Sequence, residues 1–263
     1  MADIDFQSLV TNILTLYSLT FPEAEKIPVS VSFTDDLNRT HAEIRPDRKE
    51  ELLASNRQSD FNGRMVVPLS IDDNIHILLN WKKFLEYTLD RSMTWVGTLA
   101  HEYTHAIDFY QMARMEGLDS YVPLEETDHY LLFHQWTEYH ARRCGYIILR
   151  RYFESIKEMP DRDDQLRHII DTEAPRHAEW FYRDYHRGSG SDRLYLTMQY
   201  LGRYSVWMDL FPDVFTENKL LEYCPGTYWM VNLLSFLRKH DSLENIYNHF
   251  EEFQDVLSEN WTF

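Results

Sequence analysis

One stretch constrains this chain more than any other: Thr98-Leu99-Ala100-His101-Glu102-Tyr103-Thr104-His105-Ala106-Ile107. It contains the pattern H-E-x-x-H. On an α-helix, positions i and i+4 lie on one face, one turn apart, so both imidazoles can reach a single metal ion. Glu102 sits about 100° around the helix from His101, close to such an ion yet free to avoid ligating it. A metal-bound water with a carboxylate beside it is the arrangement of metal-assisted hydrolysis. With 12 His in 263 residues, a shuffled chain would show the bare pattern roughly 0.04 times.

The flanks sharpen the signal. Thr98, Leu99, Tyr103, Thr104 and Ala106 carry no charge, and Ile107 is apolar. A buried metal helix needs such neighbours, because unpaired buried charge is costly. Trp95, Val96 and Leu99 give apolar helical spacing. Gly97 lies one turn before His101 on the same face and would admit another backbone. Ser92 or Thr94 is a candidate cap, and the helix is expected to run to about Met115, with Gly117 ending it. The plain alternative is an amphipathic helix that happens to carry two histidines. Asp108 shares the face of His105, either as an acceptor for an imidazole N–H or as an ordinary surface acid.

A second strong helix is expected over 127–153, with Thr127 or Asp128 as its cap. Glu138, Ala141 and Gly145 share one face. The small residues let this helix press against another, and a carboxylate there must be neutralised or ligated. Glu138 is thus the candidate third ligand, 33 residues after His105 (138 − 105). His129, His134 and His140 are its rivals, and an i,i+4 ion pair from Glu138 to Arg142 is the structural alternative.

His101-Glu102-Tyr103-Thr104-His105 with its uncharged flanks resembles the active-site helix of the zincin metallopeptidases. The resemblance covers roughly residues 75–150. It implies that His101 and His105 bind Zn²⁺, one ion per chain, and that Glu102 polarises the attacking water. The metzincin extension is missing, since it needs glycine at 108 and histidine at 111, where this chain has Asp108 and Gln111. Trp136-Thr137-Glu138-Tyr139-His140-Ala141 resembles the W-x-E-x-x-A pattern of the Glu-zincins, the group that includes phage-repressor-cleaving peptidases. The resemblance therefore implies a zinc metalloendopeptidase acting on a peptide or protein. The alternative is an inactive zincin-fold binding module with structural zinc. An oxyanion donor is required as well. His129, His134 and Arg142 are near in sequence, and nothing selects one.

The expected fold is α+β: a zincin-like core over 1–158, made of a small twisted sheet, the metal helix and the ligand helix, then a helical extension over 159–263. Residues 3–18 have helical apolar spacing. Ile27–Phe33 and Met65–Leu69 read as strands, and 34–61 as a loop with one short helix or strand. Ile75–Trp81 alternates directly before the metal helix. In zincins an edge strand near this place pairs with the substrate backbone. The remainder carries apolar stripes for four or five helices. Eight Gly and nine Pro are few for this length, which suits a helix-rich fold with short connections.

Composition bounds the setting. A net charge of −17 argues against nucleic-acid binding, since a polyanion is repelled; it serves solubility or a basic partner. No run approaches the length of a membrane helix, and the start has no signal-peptide pattern. Cys144 and Cys224 are too few for a disulfide framework and leave one possible bridge. A cytoplasmic protein is the expectation.

Overall fold

A computed structural model describes residues 5–54 and 61–259. The fold is α+β. Chain contacts divide it into two compact units: residues up to Thr127 with Cys144–Lys157, and Asp128–Arg143 with the residues from Glu158 onward.

The first unit is built on a three-stranded mixed sheet. Strand β1 (Val29–Thr34) runs parallel to β3 (Ile75–Asn80), and β2 (Gly63–Val66) runs antiparallel to it, giving the order β1-β3-β2. The strand before the metal helix, a candidate edge in the sequence, is therefore the central one. Its composition explains this: Ile75, Ile77, Leu78 and Leu79 are all buried, as expected of a strand covered on both faces. Ile75, Ile77 and Leu79 face a large core, and Leu78 packs with Leu37 and Val66 on the other side. Trp81 does not continue the strand. Asn80 caps the next helix, α4 (Trp81–Leu89), its side chain accepting from the N–H groups of Lys82 and Lys83 at 3.0 and 3.3 Å. The register pairs Asn80 with Thr34 and Leu79 with Gly63.

Helix α1 (Phe6–Thr20) packs with α5 (Thr94–Met115) around this core. Phe6, Phe33, Trp81, Phe84 and Trp95 form an aromatic cluster with ring centroids 4.9–6.0 Å apart. Burying one such side chain stabilises by about 1.5–3 kcal/mol. Residues 34–54 are more ordered than their polarity suggests. They form α2 (Leu37–Ile44), a turn of 3-10 helix (Pro46–Arg48) and α3 (Lys49–Ala54). Asp36 caps α2 through the Arg39 N–H at 3.0 Å, and Leu37 and Leu52 supply buried anchors. The expected loop extends over 55–60, which lie outside the described residues.

Helix α6 (Tyr130–Ser155) contributes to both units and begins later than the Thr127 or Asp128 cap predicts. A 3-10 segment, Val122–Glu126, precedes it, and Thr127 closes that segment as its C-cap, its hydroxyl donating to the Leu124 carbonyl at 2.9 Å. Within the first unit, its Gly145 meets α5 at Gly97. A Cβ on Gly145 would lie 2.6 Å from the Gly97 carbonyl oxygen and 3.2 Å from His101 Cβ.

The second unit is helical: α7 (Arg162–His168), a π-helical stretch (Ile169–Glu173), α8 (Ala174–Tyr185), α9 (Gly190–Leu210), α10 (Glu217–Tyr223), α11 (Tyr228–Lys239), α12 (Leu243–Tyr247) and α13 (Phe250–Ser258). That exceeds the four or five helices expected. Three of them, α7, α10 and α12, have only five to seven residues, too short for periodicity to register. Each is started by a side-chain cap, from Asp161, Thr216 and Ser242. Helix α9 presses on the N-terminal half of α6 at Gly202, where a Cβ would lie 2.5 Å from the Tyr139 carbonyl oxygen. Cys144 and Cys224 are buried and free. No helix among the described residues is long and apolar enough to cross a membrane.

Candidate metal centre

Helix α5 is buried along most of its length, including every residue from Leu99 to Asp108. A helix with no polar face is a core helix, so its histidines are held by their surroundings. It starts without the side-chain cap expected from Ser92 or Thr94. Met93 occupies the cap position at φ 49°, and no side chain bonds the first turn there. Gly117, at φ +67°, follows the helix as expected.

His101 and His105 are 8 % and 7 % exposed. Their rings stand perpendicular, at 89°, with the two Nε2 atoms 3.0 Å apart. Two nitrogens bound tetrahedrally to one zinc at about 2.0–2.1 Å lie roughly 3.4 Å apart. A small ring adjustment separates the two spacings, and the present one also suits an N–H···N bond. Glu138, 9 % exposed, completes the group. One ligand atom from each of the three lies within 4.8 Å of the others. Two imidazoles and a carboxylate in a buried setting are the donor set of a catalytic zinc, and the residues present fit that ion.

Glu138 is also held from outside. Gln199 on α9 donates its Nε2–H to Glu138 Oε2, and its Oε1 accepts from Arg142 Nε. The i,i+4 pair of Glu138 and Arg142 is thus bridged by an amide. Support of a ligating carboxylate by an outer donor is typical of metal sites. The rival ligands are not in the buried group, among the described residues. The His129 ring stacks 5.1 Å from Phe250, His140 stacks 4.8 Å from Trp136, and His134 tilts 5.9 Å from Tyr130.

Glu102 is 9 % exposed, and its Oε2 accepts the Met65 N–H at 2.7 Å. This bond fixes the carboxylate against β2, one of the two outer strands of the sheet. Asn62 O accepts from Asn80 N on β3, so by strand alternation the main-chain groups of 63 and 65 face outward. Arg64 is the nearby charge. Burial lowers its pKa, and the negative charge of Glu102 opposes that fall. Its guanidinium donates to His41 Nδ1 at 3.1 Å. Burial first, then Arg64, Arg48 and Arg45, push the His41 pKa down to about 4. Asp108 is 1 % exposed, which rules out a surface acid.

Sequence reasoning missed Met65, Arg64 and Gln199. Met65 acts through its main chain, which no side-chain pattern reports. Gln199 had a signal: it is a buried polar residue between Met198 and Leu201, on a helix otherwise read as an apolar stripe. Comparison with protein-family models, curated proteins and solved structures finds no match to this chain.

Proposed function

We propose that this chain is a zinc-dependent peptide hydrolase with a zincin-like core. The observation that carries the proposal is the buried His101–His105–Glu138 group, with the Glu102 carboxylate one residue along the same helix and anchored to β2. His101, His105 and Glu138 would hold the ion. Zinc bound there supplies a Lewis acid and brings the pKa of water towards 7.

Glu102 takes the proton of the attacking water and returns it to the leaving amine. Met65 holds one carboxylate oxygen, so the proton acceptor keeps its orientation between turnovers. The substrate peptide adds along the outer edge of β2, where the main-chain groups of Gly63 and the Met65 carbonyl face away from β3, the Met65 N–H being held by Glu102. That is strand addition, and it grips a peptide backbone without reading every side chain. It also delivers the scissile bond beside Glu102. The setting we propose is cytoplasmic, where the free Cys144 and Cys224 stay reduced.

The test is Glu102→Gln, which keeps shape and removes the proton acceptor. Cleavage of a substrate found by peptide-library screening should fall roughly 10²–10⁴-fold, while zinc content and melting temperature stay near wild type. Zinc-loaded wild-type protein that cleaves no library peptide would favour a structural zinc module. A variant that cleaves at the wild-type rate removes Glu102 from the chemistry.

A further inference from the structure

A second group of ligating side chains lies in the C-terminal helices. Helix α11 ends at Lys239, and His240 is its C-cap. The chain then turns through α12, and His249 is the N-cap of α13. The reversal brings the two rings together, with centroids 4.2 Å apart and planes tilted at 42°. Glu252 lies three residues after His249, in the first turn of α13. His240, His249 and Glu252 each offer one ligand atom, all within 4.8 Å of one another.

Asn245 sets the chemistry of both rings. Its Nδ2 donates to the Lys239 carbonyl at 3.1 Å, which turns its Oδ1 to His240 Nδ1 at 3.0 Å. Its main-chain oxygen lies 2.7 Å from His249 Nδ1. Both oxygens can only accept, so both Nδ1 atoms carry the proton. In each neutral ring the lone pair is then on Nε2. Ligating histidines are oriented in this way, with the other ring N–H given to a carbonyl.

The second observation concerns His240 itself. Its residue is 1 % exposed, and its Nε2 is buried with no hydrogen-bond partner. Buried polar atoms nearly always have a partner. Phe236 covers the ring at 4.4 Å, so its near surroundings include an apolar wall as well as His249.

We propose that His240, His249 and Glu252 form a second metal site that takes one divalent transition ion, with zinc the best match. Two imidazoles and one carboxylate suit zinc and its neighbours in the series. Calcium and magnesium, which take oxygen ligands, are excluded by the same set. Glu252 is exposed and His249 half-buried, so the ion loads from solvent and keeps water in its remaining positions. It ties the end of α11 to the start of α13. Asn245 is a positioning residue, acting through both rings.

The experiment is zinc binding by equilibrium dialysis on the full chain, stripped with chelator, with far-UV circular dichroism as the folding check. In the His101→Ala/His105→Ala background, one zinc per chain should bind and raise the melting temperature. Adding His249→Ala should abolish that binding, and Asn245→Ala should weaken it about 10–100-fold. Calcium should not compete. In the otherwise wild-type chain, His249→Ala should lower the stoichiometry by one whatever the α5 group binds, which covers a background that fails to fold. Unchanged stoichiometry in the folded His249→Ala protein overturns the proposal. The pair would then be packed rings, with Glu252 an ordinary acid near a helix N-terminus.

Discussion

The two His/Glu groups differ in how the chain makes them. In the first, His101 and His105 are one turn apart on a helix of 22 residues, and all three members are buried. In the second, the histidines are nine positions apart (249 − 240), and burial falls from His240 through His249 to the exposed Glu252. The first is fixed by helical periodicity and by a buried amide behind its carboxylate. The second is fixed by one asparagine in a chain reversal. Periodicity can be read from a sequence, whereas a reversal through a five-residue helix cannot.

The largest expected difference lies at Glu138. Glu138→Ala removes the proposed third ligand, and on that reading zinc affinity should drop by more than the roughly 10–100-fold expected for an outer partner. Gln199→Leu removes that outer partner and should fall inside this range. Arg142→Ala acts one bond further out and should cost less still. Isothermal titration with zinc ranks the three. If Arg142→Ala loses stability while Glu138→Ala keeps full zinc affinity, Glu138 is a structural ion-pair partner and the first group loses its third donor.

Much of the first group was legible. His101, His105, Glu102 and Glu138 stand out by spacing, and Gly97 and Gly145 by the close approach that their size permits. The α+β class also followed from the alternation around β1 and β3. The sheet order did not, because strand pairing is a long-range property: β1 pairs with β3 across 40 residues of intervening chain, from 35 to 74. Nor did the contacts of Glu102 and Glu138. Met65 N–H and Gln199 reach them from other elements, 37 and 61 residues away.

A smaller effect is expected where α5 and α6 pack at their glycines. Gly145→Ala places a methyl 2.6 Å from the Gly97 carbonyl oxygen and 3.2 Å from His101 Cβ. Backbone cannot yield as a flexible side chain does, so the variant should lose about 1–3 kcal/mol. Its zinc affinity should also weaken, because His101 is displaced. Gly190→Ala is the control. Nothing lies within 4 Å of the added Cβ, and the variant should be neutral or gain up to about 1 kcal/mol. Urea denaturation of both proteins measures the difference. Equal stability would mean that α5 and α6 do not depend on the glycine contact.

A pH dependence, confined to acid and silent near pH 7, separates the surroundings of Glu102 from the helical unit. His41 has an ordinary value of 6.5, lowered to about 4 in the folded chain by burial and by Arg64, Arg48 and Arg45. Between those values the unfolded chain takes up a proton that the folded chain does not. Stability from this group is therefore present above 6.5 and is lost as the pH falls towards 4. His177, lowered further by burial and by Arg203, has the same sign over a window that extends lower. His41→Gln keeps an acceptor for Arg64 and removes the titration. The urea midpoint should then fall less steeply between pH 6.5 and 4 than in the wild type, with no change near pH 7. His177→Gln should flatten the curve over the same interval and continue to do so below pH 4. If His41→Gln leaves the slope unchanged, His41 takes up its proton in the folded state, and Arg64 then has a cation rather than an acceptor beside it.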